Sequence, residues 1–191
     1  MFLLVLKSYF VGSIPFAFIF TRLARKLDIR KIGSGNVGTT NVFKQIGPLP
    51  AFLTAVGDGC KGLIAVMIGS AVGSGDELIA LLVAIIGHNW PVWLKFQGGG
   101  GLATFIGGMI FITEWWVVPS LLVFWGLIYL LIREYKRSVL VTCSLLPFFL
   151  GWIHSSWTSF LFGLGAGFLM GLKNIRSLLR TTKTAGKVVG S

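Results

Sequence analysis

The sequence predicts an all-α, polytopic membrane bundle, and three observations carry that prediction. Hydrophobic residues make up 54% of the 191-residue chain and charged residues only 12%, against roughly 25% charged in an average soluble protein. Mean hydropathy is +0.84, more apolar surface than a particle this small can hide in a core. The apolar residues fall into long runs, and the connectors between them hold nearly all the charge. The same figures exclude a disordered chain and a disulfide scaffold.

Seven apolar runs follow one another, at about 2–21, 51–72, 77–94, 101–113, 115–132, 139–153 and 157–172. A helix needs roughly 20 residues to cross the hydrocarbon core. The first run lacks the basic start and small-residue cleavage site of a signal peptide and reads as a retained span. The fourth run is short and the sixth and seventh are marginal, so they fit as members of a bundle or as partial spans shielded by protein. Bundles with five or six full spans remain alternatives. The whole chain, 1–191, reads as one membrane domain with a basic tail from about residue 173.

The connectors set the topology. Arg22, Arg25, Lys26, Arg30, Lys31 and Lys44 lie between the first two runs, and the next connector holds Asp76 and Glu77 with no cation. Lys95 follows on the first side, Glu114 on the other, then Arg133, Lys136 and Arg137, and finally Lys173, Arg176, Arg180, Lys183 and Lys187. Of the 17 cations only Lys7 and Lys61 lie elsewhere. The positive-inside bias then places the N-terminus outside and the tail in the cytoplasm. A net charge of +11 is explained by topology and anionic lipid, and no nucleic-acid partner is expected.

Several of the 26 glycines cluster. Gly163, Gly165 and Gly167 suit close helix packing. Two other clusters lie in cytoplasmic connectors. In Gly33-Ser34-Gly35-Asn36-Val37-Gly38-Thr39-Thr40-Asn41, followed by Lys44, glycine lets backbone N–H groups converge, while Ser, Thr and Asn add neutral donors. That pattern reads as a phosphate cradle, or else as a polar connector. In Gly98-Gly99-Gly100-Gly101-Leu102-Ala103-Thr104 four glycines open an apolar helix whose N-terminus suits an anion, or they form a hinge. A positive φ at Gly100 would resist a side chain there.

Two further groups stand near these loops. Asp58 and Lys61, at i,i+3, form either a structural ion pair or part of a substrate site. His88 is an interfacial histidine or a ligand. Lys173-Asn174-Ile175-Arg176, where the last run ends, suits anionic headgroups. No zinc, haem, P-loop or catalytic-triad spacing appears, so neither metal nor cofactor is expected.

Taken together, Gly12-Ser13-Ile14-Pro15-Phe16, the Gly33–Val42 motif, Asp58-x-x-Lys61-Gly62, Gly87-His88-x-x-Pro91, Phe96-x-Gly98-Gly99-x-Gly101-x-Ala103-Thr104 and Asn174-Ile175 resemble the bacterial acyl-phosphate-dependent glycerol-3-phosphate acyltransferases, the PlsY family. The matches run in family order over nearly the whole chain. The resemblance implies a seven-helix enzyme of the bacterial inner membrane with its site facing the cytoplasm. It would transfer an acyl group from acyl phosphate to glycerol 3-phosphate, giving lysophosphatidate without cofactor or metal, with membrane lipids as its surroundings. Carried over by position, Ser34, Lys44 and Ser138 would be catalytic, Lys44 standing where the family has arginine. Gly35, Asn36, Gly38, Thr40, Asn41, Lys61, His88, Gly98, Gly99, Gly101, Thr104, Asn174 and Arg176 would bind substrate. Gly100 replaces the family's loop lysine, Gly171 its histidine, Ser177 an arginine and Lys183 a glutamate. Lys95, Lys173 and Arg176 are the candidates to supply the missing charge. A paralogue that binds acyl phosphate, phospholipid or a partner membrane protein without turnover is the alternative that these departures raise.

Overall fold

The computed structural model describes the backbone of residues 1–189 and side chains as far as Ile175. The side chains of Arg176, Ser177, Arg180, Lys183 and Lys187, and the whole of Ser191, lie outside the described residues. Every regular element among the described residues is helical. The helices are α1 (Phe2–Gly12), α2 (Phe16–Arg25), α3 (Thr39–Gln45), α4 (Pro48–Ser70), α5 (Asp76–Asn89), α6 (Leu102–Ile112), α7 (Val117–Ile132), α8 (Tyr135–Ile153) and α9 (Trp157–Val189), with single 3₁₀ turns at Ile29–Lys31 and Val92–Leu94.

Each apolar run corresponds to helix. Among the described residues four stretches are long and apolar enough to cross a membrane: Phe2–Arg25, Pro48–Ser70, Asp76–Leu94 and Tyr135–Ile153. Helix α6 has 11 residues, a rise of about 16 Å that falls short of a hydrocarbon core of about 30 Å. Its neighbours supply what lipid cannot, because it lies closely on α4: a Cβ at Gly62 would strike the Thr104 carbonyl, and one at Gly107 the Gly59 carbonyl. The same device joins α8 to α9, where Gly163 meets the Pro147 backbone and Gly167 the Cys143 carbonyl, whereas Gly165 makes only ordinary contact with Leu82. Glycine at such crossings lets two backbones approach where a Cβ would hold them apart.

The first run is not one helix. Pro15 has no N–H to donate and follows Gly12-Ser13-Ile14, so the chain breaks between α1 and α2. The break is held from three sides. Lys61 of α4 donates Nζ to the Ile14 carbonyl at 2.9 Å, Trp93 donates Nε1 to the Ser13 hydroxyl at 2.9 Å, and Tyr9 donates its hydroxyl to the Trp90 carbonyl at 2.8 Å.

Two apolar cores result. The larger one gathers Val66, Leu81, Ile85, Phe105, Met109, Leu146, Phe162 and Met170 from α4, α5, α6, α8 and α9. The smaller one packs Ala17, Ile29, Val37, Val42, Ala51 and Leu94 together. It takes Ile29 and Val37 from the polar segment that links α2 to α3, and so fixes that segment against α4 and the Val92–Leu94 turn.

Candidate active site

The segment before α3 winds as its glycines predict. Gly33 and Gly35 both take left-handed φ, +57° and +68°, which costs a side-chain-bearing residue about 1–2 kcal/mol. Asn41, only 4% exposed, organises the turn from the inside. Its Nδ2 donates to the carbonyls of Ile29, Ile32 and Asn36 at 3.2, 3.2 and 3.0 Å, and its Oδ1 accepts the Ser34 N–H at 3.1 Å. The Gly35 N–H goes to the Ile32 carbonyl and the Asn36 N–H to the Ser34 hydroxyl. Three of the N–H groups expected to face an anion, those of Ser34, Gly35 and Asn36, are therefore spent within the loop. What the loop turns outward is Thr40 and Lys44, both exposed, with Ser34 half-buried. Lys44 also lies within electrostatic reach of Lys136.

The second loop docks on the last turn of α5. Gly98 and Gly99 donate their N–H groups to the Asn89 and His88 carbonyls at 3.2 and 3.1 Å. A helix C-terminus leaves such carbonyls without intrahelical partners, so the loop satisfies them. Gly101 then takes φ +83° as the residue before α6. Thr104, in the first turn of α6, is fully buried, and its hydroxyl has no hydrogen-bond partner among the described residues.

The two loops touch. A Cβ on Gly99 would strike both His88 Nε2 and the Val37 carbonyl of the first loop. Beneath this junction lies a small cavity whose walls include Ser13, Val37, Asp58, Lys61, His88 and Gly98. Lys61, 2% exposed, pairs with Asp58 at 2.8 Å, sits 5.8 Å from the Phe16 ring centroid, and holds the Ile14 carbonyl described above. The same Asp58 oxygen stands 3.5 Å from His88 Nδ1, too long for a good hydrogen bond. The pair is thus an ion pair that also braces the helix break. The break itself gave no sequence signal beyond Pro15, because the partner of Lys61 is a backbone carbonyl.

Helix α9 closes the site. Asn174 lies 3.4 Å from where a Gly100 Cβ would be, while its Nδ2 donates to the Met170 carbonyl at 2.9 Å. Lys173 donates Nζ to the Asn89 carbonyl at 2.6 Å and lies 5.5 Å from the Trp90 ring centroid. Ser138 is fully buried at the start of α8 and donates its hydroxyl to the Tyr135 carbonyl at 2.8 Å. The expected strain at Gly100 is absent: its φ is not left-handed, and a Cβ there meets only the Asn174 side chain, at 3.4 Å and beyond. At Gly171 a Cβ would find only the Cys143 Cβ, at 3.8 Å. Among the described residues no group of three His, Cys, Asp or Glu side chains is placed to hold a metal ion.

Fold and site together define an integral membrane protein with lysines, hydroxyls and two glycine-rich loops gathered at one end of a helical bundle, chemistry suited to phosphate groups. Its sequence matches the family model for glycerol-3-phosphate acyltransferase over residues 2–182, and the chain belongs to that family. The glycerol-3-phosphate acyltransferase of Syntrophomonas wolfei is 43% identical over 74% of this chain and 73% of its own length. Glycerol-3-phosphate acyltransferase 2 of Moorella thermoacetica is 37% identical over 95% of each chain. Among solved structures, PlsY (YgiH), an integral membrane glycerol 3-phosphate acyltransferase, superposes in its glycerol 3-phosphate form with a TM-score of 0.82 at 27% identity, over 96% of this chain and 92% of that one.

Proposed function

We propose that this protein transfers an acyl group from acyl phosphate to glycerol 3-phosphate at the cytoplasmic face of the bacterial inner membrane. Acyl transfer in phospholipid synthesis is the activity of its family, and the observation that carries the finer reading is the meeting of two phosphate-suited loops at one buried junction. In this reaction the glycerol hydroxyl oxygen bonds to the acyl carbonyl carbon, and the carbon–oxygen bond to phosphate breaks. Phosphate leaves with the electron pair, and the hydroxyl proton is released to it or to water. Because acyl phosphate is already activated, the protein's task is to bring two anions together and stabilise the charge that develops.

In this reading Lys44, Ser34 and Thr40 receive one phosphate, with Gly35, Asn36, Gly38 and Asn41 shaping that loop. Thr104 and the start of α6 at Gly101 serve the other, with Gly98, Gly99, Asn174 and Arg176 around them. Ser138 is the third catalytic candidate, and Lys61 and His88 support the floor. The cationic connectors lie at the same end as both loops, which supports a cytoplasmic site and an N-terminus outside.

The test uses purified protein in detergent with acyl phosphate and labelled glycerol 3-phosphate. The expected product is 1-acyl-glycerol 3-phosphate, formed without a coenzyme A thioester. Failure to form it from acyl phosphate overturns the choice of donor. Reporter fusions that place the Arg133–Arg137 loop outside the cell would overturn the orientation.

A further inference from the structure

We propose that one buried water sits in the cavity beneath the two glycine loops and joins His88, Asp58 and Lys61 into a single hydrogen-bonded network. His88 Nδ1 carries the argument. The residue is only 6% exposed, yet this nitrogen has no hydrogen-bond partner among the described residues. Buried polar atoms are seldom left so, because they give up hydration and receive nothing in return. The Asp58 carboxylate approaches Nδ1 only to 3.5 Å, beyond good hydrogen-bonding distance. Both side chains line the cavity, which has room for about one water-sized sphere.

A buried water needs a polar site with two to four partners, and the walls offer three. His88 Nδ1 is the first. Asp58 meets both Lys61 and His88 through Oδ1, and its second carboxylate oxygen can accept as well. Lys61 has three donors and gives one to Asp58 and one to the Ile14 carbonyl. The Ser13 hydroxyl is already spent, donating to the Phe10 carbonyl and accepting the Trp93 indole N–H. Water accepts from Lys61 and donates to Asp58 Oδ2, and it bonds His88 Nδ1 in either tautomer. A bare ion suits the site less, because Asp58 and Lys61 already balance each other's charge. Pro15, Phe16, Ala17 and Val37 close the remaining walls and leave no room for a larger guest.

The water would connect three parts of the molecule: the break in the first span, α4 and α5. The other ring nitrogen of His88 lies against Gly99, which the Val37 carbonyl of the first loop also flanks. A water that fixes the ring therefore fixes the floor on which both loops rest. It also completes a charged network set within a membrane span, where a half-satisfied network is worse than an apolar one.

The direct test is a crystal structure of the full-length protein, grown from a lipid mesophase, at a resolution that shows ordered water. One peak is expected within about 3.2 Å of His88 Nδ1 and of Asp58 or Lys61. No peak in the cavity, a direct Asp58–His88 hydrogen bond that closes it, or a peak that refines only as a heavier ion overturns the proposal. A second measurement needs no crystal. The chain has two histidines, so His154→Gln leaves His88 as the single imidazole signal. With that protein labelled at histidine nitrogen in bilayers, solid-state NMR should show magnetisation passing to Nδ1 from a water that exchanges slowly with bulk. Lack of that transfer overturns the proposal. Finally, His88→Asn keeps an amide near the place of Nδ1 and His88→Leu keeps no polar atom there. The leucine variant should unfold at a midpoint roughly 3 °C below the asparagine variant. Equal midpoints, or the reverse order, would mean that Nδ1 holds nothing.

Discussion

The two glycine-rich loops that meet above the Asp58–Lys61 pair are built in opposite ways. The first is held by a side chain: Asn41 reaches into the turn and ties three carbonyls and one N–H together. The second is held by the lack of side chains, since Gly98 and Gly99 lie against the end of α5 at distances no Cβ tolerates. One loop should therefore fail when atoms are taken away and the other when atoms are added. The lesson is that glycine density alone does not say what a loop does with its backbone. In the first loop it allows a turn, and in the second a contact.

Adding atoms should have the largest effect. Gly99→Ala places a methyl against the buried His88 ring at Nε2 and the Val37 carbonyl at once, and the Val37 backbone cannot yield without moving its loop. A loss of about 3 kcal/mol or more in stability is expected, together with loss of acyl transfer. Gly100→Ala, one residue on, should lie within about 0.5 kcal/mol of the parent. Thermal unfolding in detergent checks both, and equal effects at the two positions would break the contrast between the loops.

Removing atoms from the first loop comes next. Asn41→Ala leaves a buried N–H and several carbonyls without their partner, which should cost about 2 kcal/mol. Asn41→Asp is the sharper probe, because it turns an oxygen toward three carbonyls that now accept from the amide nitrogen, and it should destabilise more than alanine. An aspartate variant as stable as the parent would show that Asn41 is not the hub of the turn.

The smallest effect concerns the rim of the same loop. Arg30 forms a hydrogen-bonded ion pair with Asp28 at 2.7 Å, and that hydrogen bond holds the Asp28 carboxyl below its ordinary value of 3.8. A carboxyl lowered on folding adds stability above its unfolded value and loses it as pH falls through the folded one. For so open a pair the amount should stay under about 1 kcal/mol. Stability curves of the parent and of Asp28→Asn should therefore run parallel above pH 4 and converge as pH falls below it. Divergence on acidification would mean that the pair is not what Asp28 contributes.

Much of this architecture was legible in the residues. The apolar runs at 51–72 and 115–132 correspond to α4 and α7 within a few residues, because hydropathy reports contact with lipid directly. The break at Gly12–Pro15 was not legible as such, since the run is apolar on both sides of it. Nor was α3, whose Thr-Thr-Asn start reads as loop until Gly38 is seen to release it into a helix. At the site, the glycine clusters and the Asp58–Lys61 pair stood out in the sequence, and the structure brings them around one junction. Which N–H groups were already committed depended on contacts between distant segments. The Gly98 and Gly99 donors go to carbonyls that only the end of α5 supplies, and no local pattern announces that.

The broken first span also constrains how the protein is made. Its Ile14 carbonyl is answered by Lys61, 47 residues later in the chain. An unanswered carbonyl in hydrocarbon costs several kcal/mol, and Lys61, although Asp58 of its own helix balances its charge, keeps ammonium donors that lipid cannot satisfy. Entering the bilayer one at a time, each segment would bear its own penalty. Entering together, with Asp58 already beside Lys61, each removes the other's. The nascent chain therefore gains by keeping its first span at the insertion site until α4 has been synthesised, so that the two are released into lipid as a pair.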